Sequence, residues 1–491
     1  MQVFPRIYGE ELSHGVDQDL SPEEKGQLLQ FSTLSHFNQG KMRDKVSQLL
    51  ELCLNHPWDN TPQNLEKKEV FTTLFPGQEF LEGKLEKAMV EAHKIVRCFL
   101  LVQHYFREEN AFHQGLDFSE IVHKRGLFSR YQQITTSLQK AQEGALSKNT
   151  TFVYRQFLLE YSKFEKESVS NQAKGDLNIP ETIYALELHS YHNRLELLNQ
   201  FLLQQKIASL KVPDTIQFLI DNNSIPSLYL VMSPPLMVNF EIFKLLKKKY
   251  PEPSDVQFLF DLLLLHENDL DFKLLRDFYA YLRNFCVLTV WADYEQVEME
   301  IVLHELHKDN LKRGIMHYEG KLNRSKYCIV SHTAMKVNDF SWAYEFIEKY
   351  KNEIRDENET KDLYRLNLAN YLFRIGRFSD CLDNIPPTSP FVDYLLHGKR
   401  LELKALYELQ SELLPYKLDA FKMFLSRTSQ KLLSKGQRQI HLDFANLLHQ
   451  LVYSLPGDPK RSQLLIKRVQ EKKQSAEWRW LLEKAKALKE G

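Results

Sequence analysis

Glu300, His304 and His307 stand at i, i+4 and i+7, the spacing that sets three side chains on one face of a helix. Two imidazoles one turn apart can chelate zinc, and a carboxylate can supply a third ligand. The zinc-protease motif, however, needs two residues between Glu and the second His, and His304-Glu305-Leu306-His307 is one residue short. His189 and His192 form a second, isolated pair. The expectation for both is a solvated polar helix face and no metal site. The run Gly77-Gln-Glu-Phe-Leu-Glu-Gly83-Lys84-Leu85 approaches a phosphate-binding loop, but five residues separate the glycines instead of four. Leu85 also stands where a Ser or Thr must hold the metal. The sequence has no Gly-x-Ser-x-Gly elbow and no local cysteine-protease signature. These residues predict no catalytic site, no cofactor and no enzyme.

Charge offers two further candidates. Residues 69–74, a Phe75-Pro-Gly-Gln turn and a long pattern from Leu81 imitate a helix-turn-helix, with Lys84, Lys87 and Lys94 available for phosphates. Residues 61–100 nevertheless carry six Lys/Arg against six Asp/Glu. A structural helix pair is therefore expected ahead of a DNA reader. The segment 460–491 holds ten Lys/Arg and four Glu, and Trp478, Trp480, Leu481 and Leu482 predict a basic last helix docked by its apolar face. Over 491 residues, 64 Lys+Arg oppose 65 Asp+Glu, so no whole-chain surplus draws the protein to nucleic acid or anionic lipid.

The elements that must position these groups are helices. No proline occurs between Pro76 and Pro180 or between Pro253 and Pro386, and no glycine between Gly175 and Gly314. Such stretches suit helices, because interior Pro removes a backbone donor and interior Gly costs about 1 kcal/mol. Leu85, Met89, Ala92, Val96 and Phe99 follow steps of 4, 3, 4 and 3, and Val46, Leu49, Leu50, Cys53 and Leu54 repeat the signature. Ser21-Pro22-Glu23-Glu24 reads as a helix start with Ser at the cap. The β-favouring runs Ser227–Met232 and Cys286–Trp291 are too few to build a sheet. Five widely spaced cysteines predict reduced thiols, and the absence of an apolar run near Met1 predicts a cytoplasmic protein without membrane insertion. Polar or proline-rich seams fall at 108–115, 168–180, 225–235 and 386–390.

A repeat emerges in the C-terminal half. Asn338, Phe340 and Ala343 recur 38 residues later as Gly376, Phe378 and Cys381, and a weaker copy surrounds Gln410. This pattern resembles the tetratricopeptide repeat, in which a small residue closes one helix on the next and an aromatic fills the gap. The segments Leu20-Ser-Pro-Glu-Glu, Lys68–Gly77, Lys84–Met89 and Asn338–Tyr350 are also similar to a family of uncharacterised bacterial helical-repeat proteins of about 500 residues. That resemblance implies an all-helical array and no assigned activity.

The expected fold is all-α. An N-terminal helical domain spans 1–110, a middle helical region 111–310, and tetratricopeptide-like pairs 311–491 form an α-solenoid. The expected function is that of a non-catalytic cytoplasmic scaffold or adaptor that holds a protein or peptide partner in a helical-repeat groove. The alternative is a regulator with an N-terminal DNA-binding domain and partner-sensing repeats, nucleic acid being the less expected partner. His332, Lys336, Asn370 and Arg374, four apart on the first helices of two pairs, are the expected partner-binding side chains.

Overall fold

The computed structural model describes residues 20–55, 67–145, 148–170, 177–208, 210–248, 251–292, 297–355, 360–389, 391–455 and 457–489. Among these residues the chain is helical, with no strand beyond two isolated bridges, Tyr318 with Lys321 and Leu322 with Ile354. The runs Ser227–Met232 and Cys286–Trp291 are helical as well. Two compact units divide the chain, 1–145 with 155–182, and 146–154 with 183–491. The expected boundary near 110 therefore falls inside the first unit and that near 310 inside the second.

The first unit holds α1 (Pro22–Thr33), α2 (Arg43–Leu54), α3 (Lys67–Leu74), α4 (Glu82–Tyr105), α5 (Ala111–Lys124) and α6 (Phe128–Glu143). Ser21 caps α1 in a reciprocal box with Glu24, satisfying two backbone donors that a helix start leaves open. The 4-3-4-3 stripe of α4 is buried throughout, packed with the α2 stripe and with Val70, Phe71 and Leu74 of α3. Two helices, α7 (Thr150–Ser170) and α8 (Ile179–Ala208), are each divided between the units. The predicted seam at 168–180 includes residues 171–176, outside the described residues.

The second unit continues with α9 (Asp214–Asp221), α10 (Ser227–Met232), α11 (Pro234–Lys247), α12 (Pro253–Leu265), α13 (Phe272–Ala292) and α14 (Val297–Lys312). Then follow α15 (Arg324–Lys336), α16 (Phe340–Tyr350), α17 (Thr360–Arg374), α18 (Phe378–Asn384), α19 (Val392–Glu408), α20 (Leu414–Arg427), α21 (Lys435–Val452), α22 (Pro459–Glu471) and α23 (Trp478–Ala487). Neighbours in sequence pack in pairs: α15 on α16, α17 on α18, α19 on α20 and α22 on α23. First helices also touch, α15 on α17 and α17 on α19. Trp478, Trp480 and Leu481 are buried in the core shared by α17–α23, so the basic last helix docks by its apolar face.

The turns inside three of these pairs share one geometry. Asn338, Gly376 and Gln410 all lie in the left-handed region, at φ of 61°, 80° and 52°. In each, the following amide donates back across the turn: Asp339 N to Ala334 O, Arg377 N to Leu372 O, and Ser411 N to Leu406 O, at 2.9–3.0 Å. This is the Schellman arrangement that closes a helix C-terminus. Ala343 and Cys381, the small residues of the repeat, are fully buried. At Gly376 the backbone alone explains the glycine, because a Cβ there would meet nothing within 4 Å. None of the five cysteines is in a disulfide, and four are buried. No helix among the described residues is long and apolar enough to cross a membrane.

Candidate functional site

A half-open cleft of about 640 Å³ lies within the second unit. Its walls come from the C-terminal end of α13, the start of α14, one face of α15, Leu366 of α17, and Phe391 with the first turns of α19. On α15 the contributing residues follow helical spacing, Ser325, Ile329, His332 and Lys336, so a single stripe faces the space. On α19 the stripe is Asp393, His397 and Arg400. Val287, Val290, Leu303, Ile329 and Leu366 make the apolar part of the lining.

Behind the histidines sits a buried ionic cluster. Glu477 accepts from Lys404 at 2.7 Å and from Arg400 at 3.2 Å. Burial alone would raise its pKa, but the Lys404 and Arg400 charges outweigh that and hold the carboxyl well below its usual range. Glu477 is also held at φ 57°, a left-handed conformation rare for a side-chain-bearing residue, at the N-terminus of α23. Arg400 extends further, to Nδ1 of His397 and of His441, each at 3.4 Å. The rings of His332 and His397 lie 5.1 Å apart. Burial pushes His332 and His441 down to about 4 and His397 well below its ordinary value, and the neighbouring cations add to the effect. At neutral pH these imidazoles are uncharged. At the other end of the cleft, Glu300 of α14 is shared by Lys336 at 3.2 Å and Arg479 at 3.4 Å.

His332 and Lys336 line this cleft, as their spacing on α15 requires. Arg374 is exposed on α17, and its charge acts on His332 and Lys404. Asn370 departs from expectation: it is buried, with Nδ2 3.8 Å from Met335 Sδ, because its face of α17 packs on α15. His397, Arg400, Lys404, His441 and Glu477 were not singled out in the sequence. The available signal was Lys404 flanked by Leu401, Leu403, Ala405 and Leu406, a charge close to apolar positions that must be buried.

The other candidates resolve differently. Glu300, His304 and His307 are all buried, not solvated, because α14 is covered by α12, α13 and α15. His304 Nε2 lies 3.0 Å from Asp339 Oδ2, and among the described residues no group of His, Cys, Asp and Glu is arranged to hold a metal. His192 is buried against Ser233 Oγ at 3.0 Å, while His189 is half-buried beside Asn193. Gly83 and Lys84 lie in the first turn of α4, and Lys84 N donates to Leu81 O at 3.0 Å. Lys84 donates to Gln78 Oε1 at 2.5 Å and lies over the Phe75 ring, and Lys94 pairs with Glu91 at 2.7 Å. A second cavity of about 390 Å³, also in the second unit, is lined by His192, Glu196, Asp271, Asp277 and Tyr281 among others. Within the cleft, burial raises the Cys328 thiol to about 11 and the Tyr394 hydroxyl to about 12, so neither is activated as a nucleophile at neutral pH. No family model matches the chain, and neither a curated protein nor a solved structure matches it.

Proposed function

We propose that the protein is a non-catalytic scaffold or adaptor whose helix pairs from α15 onward form a tetratricopeptide-like array, and that a peptide segment of its partner lies in the cleft. The observation that supports this most is the half-open cleft lined by α15, α17 and α19, the first helices of three successive pairs. Its apolar floor and charged rim suit an extended segment that buries some side chains and leaves its backbone accessible. The raised thiol and hydroxyl pKa values and the uncharged histidines agree with a binding role better than with nucleophilic chemistry. A cytoplasmic location is part of the proposal, and cysteines that form no disulfide agree with it.

Affinity capture tests the reading when run with variants side by side. Ile329→Trp should fill the cleft, and His332→Ala/Lys336→Ala/Arg374→Ala should remove two lining side chains and the cation that acts on His332. Both are expected to lose a partner that wild type and Lys87→Glu/Lys94→Glu retain, with circular dichroism of each variant showing that the helical fold is kept. Capture that survives both cleft variants and fails with the α4 variant would overturn the proposal.

A further inference from the structure

The second cavity, of about 390 Å³, takes its polar lining from helical spacing on three helices. His192, Glu196 and Gln200 stand one turn apart on α8, Asp277 and Tyr281 one turn apart on α13, and Asn239 comes from α11. The cavity lies within the second unit and shares no lining residue with the cleft of α15 and α19.

Its floor holds two open polar groups. His192 and Asn239 are only 1% and 6% exposed. Asn199 Nδ2 donates to Asn239 Oδ1 at 2.8 Å, which turns the Asn239 amide nitrogen away from Asn199. That Nδ2 has no acceptor among the described residues. His192 Nε2 lies 3.0 Å from Ser233 Oγ, and its Nδ1 has no partner among the described residues. Neither atom is sealed in the core, whereas Asn199 Oδ1 behind them is. Polar groups left open in so buried a place are costly. The Ser233 hydroxyl can give or take a hydrogen bond, so Nδ1 of the neutral imidazole is free to be donor or acceptor. A ligand hydroxyl suits either form and also accepts from the Asn239 amide.

The rim is anionic. Glu196 and Asp277 are exposed. Glu196 Oε2 accepts from Thr150 Oγ1 at 3.2 Å and meets no cation among the described residues. Asp277 has the adjacent Arg276, with Nε 3.7 Å away. Lys273 also lines the cavity but pairs with neither carboxylate among the described residues. Burial first, and then the charges of Glu196 and Asp277, push the Tyr281 hydroxyl up to about 12, so both carboxylates act on one spot. Asp271 is occupied, accepting from Leu274 N at 2.7 Å and Asn149 Nδ2 at 3.3 Å. Leu274 and Phe278 add apolar surface for a carbon skeleton.

We propose that this cavity binds a small hydroxylated amine, its hydroxyl groups on His192 and Asn239 and its ammonium held by Glu196 and Asp277. The inference goes beyond the partner-binding reading of the cleft and does not depend on it. Calorimetric titration of the full chain with three six-membered rings tests it. Glucosamine carries both features, glucose only the hydroxyls, and cyclohexylamine only the ammonium. At about pH 6.5 both amines are cationic, and His192, pushed down to about 4 by burial, is neutral. Glucosamine should bind at least about 5-fold more tightly than either other ring. Glu196→Gln/Asp277→Asn should weaken it roughly 4- to 25-fold and remove most of the salt dependence that wild type shows. Ala280→Phe, which fills the cavity from α13, should abolish binding. Circular dichroism of each variant checks the fold. In proton resonance spectra, glucosamine should shift the ring signals of His192 and leave those of His332 in place.

The inference is overturned if glucosamine fails to bind up to about 10 mM, or binds no more tightly than both simpler rings. Full affinity in the rim variant or in a folded Ala280→Phe overturns it equally, because the ligand then sits elsewhere.

Discussion

Lys94 on α4 and Lys404 on α19 each hold a glutamate at 2.7 Å, and the two ion pairs have little else in common. Lys94 and Glu91 are neighbours on one exposed helix face, with side chains 61% and 42% accessible. Lys404 and Glu477 come from helix segments 73 residues apart, with side chains 6% and 20% accessible. An exposed pair contributes about 0–1 kcal/mol because water screens it and two long side chains must be ordered. In a buried pair each ion has given up hydration, so removing one partner strands the other. Distance is equal in the two regions; dielectric surroundings and alternatives to the pair are not. The basic face of α4 is a solvated surface, whereas the cations of the cleft belong to the packing of the second unit.

The largest expected effect is on pH dependence. Unfolded imidazoles titrate near 6.5. In the second unit, burial first of all pushes His332, His441 and His192 down to about 4 and His307 to about 3. Between about pH 4 and 6.5 the unfolded chain therefore binds more protons than the native one, and stability rises with pH across that window. The contribution is fully present above 6.5 and lost as pH falls toward 4, about 2 kcal/mol for each such histidine between pH 7 and 5. Glu477, held below its usual range, adds a loss only at more acidic pH. Melting temperature should fall clearly from pH 7 to 5, and His332→Asn/His397→Asn should flatten part of that slope. A stability profile level between pH 7 and 5 would erase the contrast between buried and exposed charge.

Next in size is Lys404→Met, which leaves Glu477 with Arg400 alone and should cost about 3 kcal/mol in urea denaturation. Lys404→Met/Glu477→Gln should recover part of that loss, since the stranded charge is gone. A single variant as stable as wild type would place the cluster in effectively aqueous surroundings.

Gly376→Val tests the frame that carries Arg374, two residues before the turn. With φ at 80°, a β-branched residue should cost about 1–3 kcal/mol. A milder effect at Gly457 is not expected, because Gly457 sits at φ 78° and its amide donates to Leu488 O at 2.9 Å. Comparable losses at both glycines would agree with a backbone origin; an unchanged Gly376→Val would break it.

The turns mark how far the sequence could be read. Asn338, Gly376 and Gln410 were legible because helix stops use a small vocabulary, and the stripes of α2 and α4 because burial enforces a 3.6-residue period. That His332 and Lys336 share one face of α15 was legible for the same reason. Glu300, His304 and His307 were read as solvated because polar type ordinarily signals exposure. The buried Glu300 and His304 find their partners in Lys336, Arg479 and Asp339, 35 or more residues away along the chain. Glu477, 73 residues from Lys404, was hidden likewise. Short-range periodicity records which face is covered, and it is silent about which distant charge covers it.

The smallest expected effect completes the comparison from the exposed side. Lys94→Ala removes the pair with Glu91, worth a few tenths of a kcal/mol at this spacing, and replaces Lys with the strongest helix former. The two changes nearly cancel, so the urea midpoint should move by the equivalent of less than about 0.5 kcal/mol in either direction. Raising salt should shrink even that difference, because both charges lie in solvent. Lys87, exposed on the same helix, should behave alike. A loss above about 1 kcal/mol for Lys94→Ala would mean that the α4 lysines work in a protected environment, as those of the cleft do. The division between a solvated basic face and a structural cationic cluster would then collapse.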